Sequence, residues 1–216
     1  MSAVRKTGRA ELAKPKKTYH HGDLYRGLLS AAESLLARHG IAGLSLREVA
    51  KAAGVSHTAP YRHFRNKTAL VEALAADGFR RLQNGCETAR RRYPNDPARQ
   101  LVEAGLAYLY LAVEKPTIVH LMFGGVISLC SSGDDLRQAA DAAWDSLVRI
   151  VRDGQNAGIY QKAAPPDLTL AAWSMVHGLA LMVTAGLLRT RPMTRTQIRR
   201  LGKTVAEILL SGMYKR

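Results

Sequence analysis

Apolar positions recur along the chain at three- and four-residue spacing, interrupted by Gly, Pro, Asn and Asp. Leu24, Leu28, Ala31, Ala32, Leu35 and Leu36 share one helix face, Asp23 stands where a cap is expected, and Gly40 ends the segment. Ser45-Leu46-Arg47-Glu48 has capping-box spacing, in which a hydroxyl and a carboxylate satisfy two free backbone N–H groups. The helix it opens is short, because Gly54 follows. Ser56 is placed to cap a second short helix, His57 to Phe64. Asn66 precedes a longer helix from Lys67 to about Gln83 or Arg92. Pro94-Asn95-Asp96-Pro97 marks a boundary, with Asp96 as a cap and Pro97 in the first turn. The pattern beyond it predicts helices over 97–114, 117–130, 134–157, 168–189 and 195–213, the last opened by a second capping box, Thr194 with Gln197. No segment alternates with period two for long enough to make a strand, and the expected fold class is all-α.

Segment 45–67 has the spacing of a helix-turn-helix. Leu46, Val49 and Ala50 form one apolar face. Ala53 is small enough for two helices to approach, and Gly54 takes a left-handed turn without a Cβ penalty. Val55 plugs the hinge. The same features suit an ordinary helical hairpin, so spacing alone leaves both readings open.

Charge adds a direction. The chain carries +15 at pH 7, and residues 1–92 hold 18 Lys and Arg against 7 Asp and Glu. That imbalance, with a pI near 10.3, points to a polyanion such as DNA, RNA or an anionic membrane surface. Arg5, Lys6, Arg9, Lys14, Lys16 and Lys17 form a basic leader. It reads either as a disordered solubilising tail or as an arm that lies along phosphates or in a minor groove. His20-His21 reads as a tether of that arm to the first helix. The apolar fraction of 47% over 216 residues supports a real core. No stretch reaches the ~20 unbroken apolar residues of a membrane span, and no secretory leader is evident. Cys86 and Cys130 have no metal or redox spacing and suit a reducing cytoplasm.

Residues 20–79 resemble the DNA-binding domain of the TetR/AcrR family of transcriptional regulators. The matching positions are Leu44 to Ala50, Ala53-Gly54-Val55-Ser56, and Tyr61-Arg62-His63-Phe64 followed by Asn66-Lys67. Tyr19 to Leu24, Ala59-Pro60-Tyr61, and Trp173 to Gly178 are similar to the subgroup with a WHG-type C-terminal domain. The resemblance implies a basic arm over 1–18, a three-helix helix-turn-helix domain over 19–66, a connecting helix over 67–92, and an effector-binding and dimerisation domain over 93–216. His57, Thr58 and Ala59 would face base edges in the major groove. Tyr61, His63 and Lys67 would meet phosphates, Ser45 and Arg47 would flank them, and Arg62 would either reach a base or a phosphate or stand solvated. Pro60 departs from the family pattern, and with Ser56 as cap it is expected to remove only the first ladder bond.

For the second domain the resemblance implies a four-helix interface between two copies. The candidate residues are Leu170, Trp173, Val176, Leu179, Val183, Leu201, Val205, Ile208 and Leu209, although these stripes also suit intrachain core. Candidate pocket residues are Tyr108, His120, Met122, Phe123, Trp144, Met175, His177 and Met182, each of which also suits plain packing. The expected partners are a pseudo-palindromic double-stranded DNA operator, a second copy of the chain, and a small-molecule effector of unknown identity that releases a repressor. No cofactor, metal site, membrane partner or catalytic constellation is expected. The other reading from charge is a non-specific architectural nucleic-acid binder, which leaves the weakly charged second domain without a purpose.

Overall fold

The computed structural model describes residues 21–188 and 193–214. The basic arm, Tyr19 and His20 lie outside the described residues. Eight α-helices occur among the described residues: α1 (His21–His39), α2 (Leu46–Ala53), α3 (Lys67–Arg92), α4 (Pro97–Glu114), α5 (Pro116–Phe123), α6 (Asp134–Asn156), α7 (Pro165–Thr184) and α8 (Arg195–Met213). There is no strand among them, only an isolated antiparallel bridge between Tyr160 and Tyr214. The all-α expectation holds.

The punctuation acts where side chains reach free backbone groups. Asn66 Oδ1 accepts from Ala69 N at 2.9 Å and Asp96 Oδ1 from Arg99 N at 2.9 Å. Thr194 and Gln197 form the complete capping box. Ser45 Oγ accepts from Glu48 N at 3.1 Å. Gly54 takes φ 67°, where a Cβ would be strained. Three boundaries differ from expectation. Helix α1 begins at His21, so Asp23 lies inside its first turn instead of capping it. Helix α5 stops at Gly124, and Gly125 takes φ 72°, so the expected helix over 117–130 is half that length. Helix α7 begins at Pro165, because Pro suits the first turn, and ends at Thr184.

Helix α3 joins the two parts. Its first half contributes Leu70, Val71 and Leu74 to a core with Leu28, Leu36, Val49 and Phe64. Its second half packs against α4 and α6. At Gly78 the α5 helix comes so close that a Cβ would stand 2.5 Å from Met122 Sδ and 2.8 Å from Ile118 Cγ2. Helix α7 is long and apolar enough to cross a membrane, with a mean hydropathy of 1.3. Its inner face nevertheless lies in the protein core, with Thr169 fully buried and bonded to Pro165 O at 2.7 Å.

Candidate nucleic-acid interface and ligand cavity

The N-terminal module presents a short reading element. Its second segment is not the expected α-helix over 57–64 but a single 3-10 turn, Ala59–Arg62. Pro60 is the reason. It has no N–H to donate to Ser56 O, and it disfavours helical backbone at Ala59. Ala59 N donates to Ser56 O at 3.0 Å, Tyr61 N to Thr58 O at 3.2 Å and His63 N to Pro60 O at 3.0 Å, all of 3-10 span, and Phe64 N closes the turn with a single α-type bond to Pro60 O at 2.9 Å. The Pro60 ring is buried beneath the turn. Ser56 does not cap; its hydroxyl pairs with Thr58 Oγ1 at 3.2 Å, and Thr58 makes no cap hydrogen bond.

The turn leaves Arg47, His57, Thr58, Tyr61, Arg62 and Lys67 exposed on one small module, with Tyr61 57% exposed. An exposed tyrosine beside three cations suits phosphate contact. Ala59 is half-buried. Ser45 is also half-buried, with its oxygen engaged by the cap. Lys67 Nζ donates to Ile41 O at 2.5 Å, which ties the start of α3 to the loop before α2. His63 is half-buried: its ring packs against Tyr25 at 5.7 Å and Phe64 at 6.2 Å, and Nε2 is buried without a partner. It supports the turn from below. We expect Tyr61→Ala to weaken operator binding about tenfold, the scale of one lost phosphate or base contact, with size and helicity unchanged. A mobility-shift titration decides; an unaltered Kd removes Tyr61 from the interface.

The second part holds a cavity of about 110 Å³, partly open to solvent, between α3, α4, α5, α6 and α7. Phe79, Tyr108, Phe123, Trp144 and Trp173 supply its aromatic walls. Ala104, Gly105, Ala140 and Ala143 leave the space they enclose. Phe123 meets Phe79 edge-on at 5.3 Å and Trp173 at 5.1 Å. Trp173 stacks on His177 at 5.2 Å, one helical turn away. With the imidazole proton on Nε2, the Tyr108 hydroxyl donates to His177 Nδ1 at 2.7 Å. Burial pushes the Tyr108 phenol well above its ordinary value and the His177 imidazole below its own, so both are neutral near pH 7. Burial likewise pushes the Cys86 thiol up, so this cavity-lining group is not a thiolate.

Of the residues expected at a pocket, Tyr108, Phe123 and Trp144 line this cavity, and His177 stands directly behind Tyr108. His120 is exposed, and Met122 is buried in the α3–α5 crossing. Met175 lines a second, smaller cavity of about 50 Å³ with Leu101, Leu109 and Val205, between α4, α7 and α8, and Met182 lies on the open face of α7. The exchange runs both ways, because Trp173 and Val176, expected at a dimer interface, line the cavity. Leu179 is buried, and Val183, Leu201, Val205 and Leu209 pack half-buried against the core. Leu170 and Ile208 do face outward, 56% and 62% exposed, joined by Leu181 at 50% and Met182 at 44%. Helix α7 is apolar all round, so periodicity could not choose its outer face.

One feature had no signal in the sequence. Glu33 of α1, its side chain 12% exposed, binds Arg81 of α3 at 2.7 Å and also Lys115 at the α4–α5 junction. Burial alone would raise its carboxyl, but the hydrogen bonds and charges of Lys115 and Arg81 outweigh that and hold it below the ordinary value. Arg81 also holds Asp77 at 2.7 Å. These pairs connect the N-terminal module to the helices that wall the cavity.

Residues 28–74 match the family model described as bacterial regulatory proteins, tetR family, and residues 101–204 match one described as tetracyclin repressor-like, C-terminal domain. The chain is 48% identical over 48 residues to the tetracycline repressor protein class A from transposon 1721 of Escherichia coli, a match covering 22% of each chain. A structure of a protein with unknown function from Rhodococcus sp. RHA1 is 32% identical, covers 93% of this chain and 100% of its own, and has a TM-score of 0.79. The transcriptional regulator FadR from Bacillus subtilis, solved with stearoyl-CoA, shares the fold at 18% identity, covering 88% of this chain and 100% of its own, with a TM-score of 0.65.

Proposed function

The chain belongs to the TetR family of bacterial transcriptional regulators, and from that premise we propose that it is a homodimeric repressor released from its operator by a small molecule. Two copies pair through the outward faces of α7 and α8, where Leu170, Leu181, Met182 and Ile208 need cover. Each copy then places one reading turn in a major groove, with His57, Thr58 and Ala59 towards base edges and Arg47, Tyr61 and Lys67 towards phosphates. Such a regulator works in the cytoplasm, on a pseudo-palindromic site. The WHG-subgroup reading rests on the stretch from Trp173 to Gly178, whose Trp173 walls the cavity.

The observation that carries this reading is the physical continuity between reading module and cavity. Phe79 walls the cavity from the same helix whose first turn carries Lys67, and Phe123 ends the helix that begins beside Lys115. A ligand that displaces Phe79 or Phe123 therefore acts on the elements that hold α1. Occupancy that favours one separation of the two reading turns over another lowers operator affinity by the same factor.

Selection of bound DNA from a random pool is the test. The expected product is an inverted repeat with half-site centres one helical turn apart, about 10 bp, or a multiple of it. A pool that stays random at physiological salt would leave only charge-driven binding and would end the repressor reading.

A further inference from the structure

We propose that the cavity's ligand is an uncharged, single-ring or similarly compact apolar compound, and that ionic ligands and long acyl chains are excluded. This inference rests on the sensor reading above and names the chemistry of that sensor site.

Size sets the first limit. A cavity of about 110 Å³ is somewhat smaller than the roughly 150 Å³ apolar cavity that accepts benzene, and well below the roughly 300–1,000 Å³ of drug-sized sites. One ring with a small substituent, admitted by modest side-chain adjustment, matches it. The stearoyl-CoA held by the FadR structure does not.

The walls set the second limit. Trp144, Trp173, Phe79 and Phe123 offer flat faces, and Leu82, Leu147 and Val176 complete the apolar walls below the mouth. No Asp, Glu, Lys, Arg or His is among the lining residues. The groups that could titrate there, Cys86 and Tyr108, keep their protons. The Tyr108 hydroxyl is already committed to His177. An ion entering this space would lose its hydration with nothing to replace it. Aromatic faces attract cations, but the absence of any acidic partner in the wall leaves a buried cation uncompensated. An aromatic or aliphatic ring loses nothing and gains contact with every wall. Trp144 is 36% exposed and stands at the rim, which gives a path of entry.

The chain supplies its own reporter. It contains two tryptophans, and both line the cavity. Toluene, tetramethylammonium, hexanoate and stearoyl-CoA are titrated separately into the full-length protein while tryptophan fluorescence is followed. The expected result is a saturable change with toluene alone. Ala140→Leu, which places a larger side chain in the cavity from α6, is expected to weaken toluene at least about tenfold. Ala142→Leu, on the same helix but outside the lining, is expected to leave it unchanged. Thermal unfolding of both variants shows that they fold. Saturable binding of either ion or of the acyl thioester overturns the proposal, as does a toluene titration that is flat or indifferent to Ala140→Leu. Toluene binding that leaves operator affinity untouched supports the ligand class and overturns the sensor reading. Release of the operator by an ionic compound, with no toluene binding, overturns the ligand class and preserves the sensor reading.

Discussion

Leu181→Glu is expected to convert the protein to a folded monomer and to lower operator affinity by at least about a thousandfold, into the range of non-specific binding. Leu181 lies in the last turn of α7 and is 50% exposed, so one copy of the chain does not depend on it. In a symmetric pair the same face meets itself, and each substitution is felt twice. Each lost leucine removes roughly 1.5–3 kcal/mol of apolar burial, and each introduced carboxylate must be desolvated against an apolar face. A single reading turn with Arg47, Thr58, Tyr61 and Lys67 buries little surface. Its specific affinity depends on the second turn being tethered at the right distance, which multiplies the effective concentration of the second contact. Sedimentation velocity reads the monomer, and a mobility shift on the selected operator reads the affinity. Unchanged helicity and tryptophan emission show that core and cavity survive. A variant that still sediments as a dimer at micromolar concentration removes α7 from the interface. Leu181→Met, which keeps the apolar area, is expected to behave as the parent protein does.

The helices were legible in this sequence wherever one residue ends or begins them by chemistry. Gly54, Asn66, Asp96 and the Thr194–Gln197 pair each act through a named backbone group, and each is where the pattern put it. Boundaries failed where apolar residues run past a helix end, as they do from Met122 to Ile127, where Gly124 and Gly125 stop α5. Pro60 was visible in the sequence, but its consequence was larger than one lost bond. Its missing N–H and its effect on Ala59 turn the reading helix into a 3-10 turn. Aromatic residues announced a pocket without saying which of them share it. Trp173 and Trp144 come from different helices, and only packing brings them to one cavity. The Glu33–Arg81 pair spans 48 positions, far beyond any local spacing rule. Local chemistry therefore gave elements and their ends, while faces, cavity and coupling were decided by tertiary contact.

That last pair carries the second large prediction. Glu33→Gln is expected to leave operator binding within about threefold while abolishing most of the ligand's effect on it, a coupling that in such proteins is roughly 5–150-fold. Glu33 reaches from α1 to both Arg81 and Lys115. Arg81 rides on the helix that carries Phe79, and Lys115 stands at the start of the helix that ends in Phe123. Both aromatic rings wall the cavity. A shift of either ring is therefore communicated to α1 by a charge pair as well as by the apolar packing of α1 against α3 and α5. The neutral amide keeps size and a weak hydrogen bond but loses the attraction that makes α1 follow Lys115 and Arg81. Arg81 and Lys115 are 38% and 44% exposed and stay hydrated, and Arg81 retains Asp77, so the stability lost is about 1 kcal/mol. The measurement is the ratio of operator Kd with and without a saturating cavity ligand, in parent and variant. Asp153→Asn is the control, since its 2.9 Å pair with Arg90 joins α3 to α6 at the end of α3 remote from α1. A Glu33→Gln protein that releases its operator as fully as the parent would show that coupling runs through the apolar packing of α1 alone. A loss of coupling in both variants would show that α3 must be anchored on α6 as well, because a helix free to slip at one end transmits no displacement to the other.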